Sequence, residues 1–139
     1  MKSENWTNSD DGKINPNEYY SEMITEFPTL KNEIEDEEPE MVHFRMEIFS
    51  SYNIEQIKTK NHSELKRCFE FQESRIEKLN SELINALNVS YFESLLLGEC
   101  ASEMTEIRKL MTPKLEKVYS EYEEYYEKFA KVISNTNSQ

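Results

Sequence analysis

The chain has 139 residues and a mass of 16.6 kDa, enough for one modest hydrophobic core and too little for two, and Leu, Ile, Val and Phe supply 31 of its residues. Only two glycines are present, which argues against hairpin-rich β-sandwiches, dinucleotide-binding turns and phosphate-cradling loops. Sixteen Lys and Arg against 28 Asp and Glu leave a net charge of -12, so nucleic acid and anionic bilayers are repelled and a basic protein is the natural complement.

Residues 1–14 are polar, with Trp6 and Ile14 as their large apolar side chains, and are expected to form a flexible N-terminal segment ahead of a helical domain over 15–133 and a disordered tail over 134–139. Asn15-Pro16 provides a cap and a first-turn proline for a first helix, in which Tyr19, Tyr20, Met23, Ile24 and Phe27 recur at three and four residues. It ends at Pro28. Thr29 is the expected cap of a short second helix carrying Leu30 and Ile34, which runs into Glu33, Glu35, Asp36, Glu37, Glu38 and Glu40.

Between Pro39 and about Lys60, Met41, Phe44, Ile48, Phe49 and Tyr52 fall in one arc of a helix and Glu40, His43, Glu47 and Ser51 fall opposite. Arg45 lies inside the apolar arc, so its guanidinium must snorkel out or pair with a carboxylate, and pairing is the expectation. Asn61 and Ser63 are possible caps for the next helix, whose stripe is Leu65, Cys68, Phe69, Gln72, Ile76, Leu79 and Leu83, with Phe71 off it. A break is expected near Asn85 to Asn88. Ser90-Tyr91-Phe92-Glu93 then has the spacing of a capping box, and Gly98 is the expected left-handed terminator of the short helix that follows.

Met104, Ile107, Leu110 and Met111 mark another helical segment, and Thr112-Pro113 opens the last helix, with Leu115, Val118, Tyr119, Tyr122, Tyr126, Phe129 and Ile133 along one side. Neither strand alternation nor a heptad repeat of coiled-coil length occurs. The fold class is all-α, a single compact bundle of about six or seven helices.

The residue types that carry chemistry are sparse. Cys68 and Cys100 stand 32 positions apart within helical apolar patterns and read as reduced core thiols. No zinc-type spacing or calcium-loop pattern is present, so no metal or cofactor is expected. His43 and Glu47 share a helix face and read as an exposed pair, with acid–base chemistry the sharper alternative. The cationic cluster Lys58, Lys60, Lys66 and Arg67 surrounds Glu64 and makes a weak nucleic-acid surface. No long apolar run exists, so export and membrane insertion are not expected and a cytoplasmic location is.

Two features remain. Six carboxylates between Glu33 and Glu40 repel one another and are either merely solvated or kept for a complementary partner. Eight tyrosines exceed what a small core needs, and Tyr125, just off the terminal stripe, is the one expected to be exposed as an interface anchor.

Lys66-Arg67-Cys68-Phe69-Glu70-Phe71 and Asn85-Ala86-Leu87-Asn88-Val89-Ser90-Tyr91-Phe92-Glu93, with Pro28-Thr29-Leu30 and Pro113-Lys114-Leu115, resemble a family of small bacterial helical domains of unknown function over about residues 16 to 127. The resemblance implies an all-α fold. Such acidic domains are in turn similar to immunity proteins of contact-dependent growth inhibition systems, which implies neutralisation of a cognate antibacterial toxin, for instance a basic nuclease, and no catalytic residues. The expected partner surface is Glu33, Glu35, Asp36, Glu37, Glu38, Glu40 and Tyr125, on a free monomer or weak dimer that is not an enzyme. The alternative is a helical interaction or regulatory module with no toxin partner.

Overall fold

The computed structural model describes residue 10 and residues 12–137, with side chains through residue 132. The expectations for Trp6 and for the side chain of Ile133 lie outside the described residues. Within them the chain is all-α: α1 (Pro16–Glu26), α2 (Lys31–Asp36), α3 (Val42–Lys58), α4 (His62–Glu73), α5 (Ser81–Leu97), α6 (Met104–Ile107) and α7 (Pro113–Asn137), joined by 3₁₀ turns at Pro28–Leu30, Ala101–Glu103 and Arg108–Leu110. One parallel bridge, Ile14 to Leu79, is the sole strand-like pairing among the described residues.

Helix starts follow local chemistry. Asn15 and Glu18 form a reciprocal capping box at α1, with Pro16 at the first position, and Asn61 and Asn80 accept the N–H groups of Glu64 and Leu83 at α4 and α5. Thr29, in contrast, caps nothing: Pro28–Leu30 is a 3₁₀ turn, and α2 starts without a side-chain cap. Part of the segment expected to fray is tied down, because the Ile14 N–H donates to the Lys78 carbonyl, its own carbonyl accepts from the Asn80 N–H, and Asp10 accepts from the Ser81 N–H and hydroxyl.

The core is aromatic. Tyr19, Phe27, Phe49, Phe71, Tyr91, Phe92 and Tyr119 are buried, and their rings meet in tilted, edge-on or stacked pairs with centroids 5.4 to 5.8 Å apart. Cys68 and Cys100 are free and buried, as their patterns imply. Burial pushes both thiols up, and for Cys100 the neighbouring Glu103 and Glu99 add to the effect, so neither is a ready thiolate.

Three expectations are overturned here. The buried face of α3 is Val42, Arg45, Met46, Phe49, Ser50, Asn53, Gln56 and Ile57, while Met41 and Phe44 are exposed. Polar residues can occupy that face because their polar groups are satisfied: Ser50 and Gln56 donate to the Glu47 and Tyr52 carbonyls of their own helix, and the Tyr91 hydroxyl, remote in sequence, donates to Asn53 Oδ1 at 2.6 Å. Arg45 is buried as its position implies, but it donates through Nε and Nη2 to the main-chain carbonyl of Glu37, at 3.2 and 2.7 Å, with its guanidinium 5.7 Å from the centre of the Tyr20 ring. No carboxylate among the described residues is its partner.

The third correction concerns Asn85 to Gly98. The chain does not break there but widens into a π-helical stretch, Leu87–Phe92, between the α-helical segments Ser81–Ala86 and Glu93–Leu97 of α5. The extra residue lets Leu87, Ser90, Tyr91 and Phe92 all face inward, so the predicted Ser90–Glu93 cap does not form. Gly98 has φ -82 and ψ -167, not a left-handed backbone; the residue that is left-handed at a helix end is Lys60, φ 60, after α3.

A long-range cap joins α4 to α7. Glu73 accepts the backbone N–H groups of Lys114 and Leu115 at 3.2 and 3.0 Å, filling the orphan donors of the terminal helix. Partial desolvation works the other way, but Thr112 beside it, these N–H groups and the Lys114 charge hold the carboxyl below its ordinary value. A depressed carboxylate stabilises the fold above its unfolded value of about 4.3 and loses that contribution as pH falls through the lower folded value. Glu73→Gln is therefore expected to cost about 1 kcal/mol near neutrality. In thermal melts over a pH series the gap to the parent protein closes in acid; a gap independent of pH excludes this role.

Candidate functional site

Ile34 and Leu30 are buried and pin α2 by one face, which leaves Glu33, Glu35 and Asp36 on the other face, exposed. The chain leaves the helix at Glu37 in an extended conformation, and Arg45 clamps the Glu37 carbonyl so that the half-buried Glu37 side chain and the exposed Glu38 and Glu40 follow in a held turn. None of the six carboxylates lies within ion-pair distance of a cation among the described residues. Asp36 and Glu37 also sit at the C-terminal end of α2, where the helix dipole disfavours negative charge. The run is thus electrostatically unfavourable to its own fold.

Arginine, the usual reader of phosphate, is committed elsewhere at all four positions. Arg45 holds Glu37, Arg67 is 2.9 Å from Glu26 and 2.7 Å from Glu64, and Arg75 is 2.6 Å from Glu22. Arg108 meets Glu116, Glu123 and the Ser120 hydroxyl within 3.2 Å and lies over the Tyr119 ring. Of the cationic cluster read around Glu64, Arg67 is neutralised by that residue and Lys58 lies 3.5 Å from Glu99.

His43 does not pair with Glu47. Its Nδ1 is 3.0 Å from the Ser90 hydroxyl and its Nε2 is 3.4 Å from the Asn85 amide, so the ring is held against the π-helical stretch, and Glu47 stands exposed. Among the described residues no three His, Cys, Asp or Glu side chains are grouped to hold a metal ion, and no helix is long and apolar enough to cross a membrane.

Tyr125 is 62% exposed, as expected, and it continues a line of rings out of the core. Phe92 stacks on Tyr122 at 6.4 Å, Tyr122 meets Tyr125 at 6.3 Å, and Tyr125 stacks on Phe129 at 6.5 Å. Burial and the hydrogen bond from the Tyr122 hydroxyl to Glu93 push that phenol up to about 12, which keeps it a neutral donor. Tyr122, Tyr125 and Val118 on α7, with Asn85, Asn88 and Val89 on α5, line a groove of about 360 Å³. The π-helical widening presents Asn88 and Val89 to this groove while Tyr91 and Phe92 point inward.

The two sequence-predicted features are not brought into one pocket. Glu40 lines a separate groove with Asn17 and Glu82, one turn of α5 before Asn85 enters the Tyr125 groove. Sequence reasoning missed Val89, Asn88 and Asn85 as surface-forming residues, because a predicted break at that point hid the helix that displays them. Residues 20–127 match a family described as Domain of unknown function (DUF7674). No curated protein and no solved structure matches the chain.

Proposed function

The chain belongs to the DUF7674 family, and we propose that it is a non-catalytic binding protein of the immunity type, which neutralises a cognate toxin by covering that toxin's basic, nucleic-acid-engaging surface. The observation that carries this reading is the acidic run itself: Glu33, Glu35 and Asp36 on α2 and Glu38 and Glu40 in the turn after it are exposed and have no cationic partner among the described residues, they repel one another, and Asp36 lies at the C-terminal end of its helix, where negative charge is disfavoured. A charged surface retained at a cost to folding is consistent with selection for a complementary surface. Opposite charge speeds encounter and selects the partner. Tight retention then requires desolvated aromatic or arginine anchors on either side.

Commitment of every arginine to internal contacts supports a protein partner over a direct nucleic-acid ligand. The test is co-expression with any toxin domain found encoded next to this protein's gene, scored by growth, for the parent protein and for a variant with Glu35, Asp36, Glu37 and Glu38 all changed to Lys. The expected result is rescue by the parent protein and loss of rescue by the folded variant, with association slowing as salt is raised. Absence of rescue by the parent protein removes the immunity reading. Rescue that survives the charge reversal removes the acidic run as its surface.

A further inference from the structure

The terminal helix carries a second periodicity beyond the one that packs it onto the core. Val118, Tyr122, Tyr125, Phe129 and Val132 are spaced by four, three, four and three residues, the a/d spacing of a paired helix over two heptads. The domain covers only the beginning of this stripe. Val118 and Tyr122 are half-buried, whereas Tyr125, Phe129 and Val132 are 62%, 51% and 63% exposed. Three large apolar side chains in line on one exposed helix face are unlike scattered surface hydrophobics and mark a contact surface.

The geometry points to a second copy of this chain as the occupant, with the two α7 helices antiparallel and crossing near Glu123 and Glu124. The charges flanking the stripe decide between orientations. Glu121 and Lys128 are seven residues apart on the same side of the helix, both are exposed, and neither is ion-paired with a described residue. In an antiparallel pair these flanking positions face each other across the seam, so Glu121 of each copy meets Lys128 of the other, twice by symmetry. A parallel pair would set Glu121 beside Tyr126 instead and leave both charges without a partner.

The same register gives the groove an occupant. With Tyr122 layered against Tyr125 of the second copy, Phe129 of that copy falls at the level of Val118, where the groove walled by Val89, Val118 and Tyr122 opens. The stacked pair Tyr125–Phe129 is thereby extended by the ring of the other chain. Each groove takes one phenyl ring, and the contact is self-complementary and closed. This surface is distinct from the acidic run, and the inference stands or falls independently of the toxin reading.

The test is sedimentation equilibrium of the purified full chain from about 1 µM to about 1 mM at about 0.15 M salt, an ionic strength at which the repulsion between two acidic bodies is screened beyond about 8 Å. A dimer is expected. Phe129→Glu weakens it by about a hundredfold or more, because two buried rings are lost per dimer. Glu121→Lys and Lys128→Glu each weaken it by about tenfold, and the double variant, which swaps the charges, restores it. Circular dichroism confirms that each variant is folded, as expected for side chains outside the core. A chain that stays monomeric throughout assigns the stripe to a different partner and overturns the proposal. A dimer indifferent to Phe129→Glu, or one not restored by the charge swap, overturns it as well.

Discussion

Phe71→Ala is expected to lower the unfolding free energy by about 3–5 kcal/mol, the usual cost of emptying a ring-sized volume in a packed core. The Phe71 ring lies 5.5 Å from Tyr19, 5.8 Å from Phe27 and 5.7 Å from Phe49, and the Arg75 guanidinium covers its outer face at 3.9 Å. These neighbours come from α1, α3 and the residues just beyond α1 and α4, so no single element can shift to fill the cavity. A domain of this size holds about 5–15 kcal/mol in total. The variant is therefore expected to lose about half of its stability, read as a lower urea midpoint at unchanged slope. Phe44→Ala is the internal comparison: Phe44 is 52% exposed, and its loss should move the midpoint by no more than about 0.5 kcal/mol. Equal effects at the two positions would contradict the buried faces assigned to α3 and α4.

Gly98→Ala is expected to cost about 1–3 kcal/mol, for a reason unrelated to glycine's usual role. A Cβ built at Gly98 would stand 2.2 Å from the Ser94 carbonyl oxygen, which already accepts the Gly98 N–H at 2.9 Å. Backbone cannot swing aside as a flexible side chain can, so the end of α5 must open, and with it the packing of Leu95. Gly98 is not in the left-handed region, hence d-Ala offers no rescue of the kind seen at left-handed glycines. Thermal unfolding with near-ultraviolet circular dichroism checks this; a variant as stable as the parent would show that the close approach relaxes without cost.

Local chemistry made most of the helices readable. Asn15-Pro16, Asn61 and Thr112-Pro113 start helices where expected, because a cap or a first-turn proline acts on groups only a few residues away. The exposure of the acidic run was equally legible. Six carboxylates in eight residues cannot be desolvated together, so any fold must leave most of them at the surface.

Periodicity failed where a remote group changes what a buried position can hold. Counting apolar residues placed Phe44 inside α3 and gave no inward role to Ser50, Asn53 or Gln56. Asn53 is buried because Tyr91, 38 residues later, donates to it, and Arg45 because the Glu37 carbonyl meets it. The break read at Asn85 to Asn88 failed for a related reason: asparagine disfavours a helix by a few tenths of a kcal/mol, and burial of Leu87, Tyr91 and Phe92 on one continuous π-widened helix outweighs that many times over. The Tyr125 groove depends on that same widening, so it was unreadable for as long as the helix was.

By itself, then, the sequence determined the helical class, the starts of α1, α4 and α7, the burial of both cysteines and an exposed acidic turn, because each follows from contacts within a few residues or from charge that no interior accepts. Tertiary structure alone decided which face of α3 is inside, that α5 is continuous, and that the terminal helix leaves the body with Phe129 and Val132 uncovered beside Tyr125. Those outcomes depend on partners far away along the chain, whose burial energies of several kcal/mol exceed any local preference.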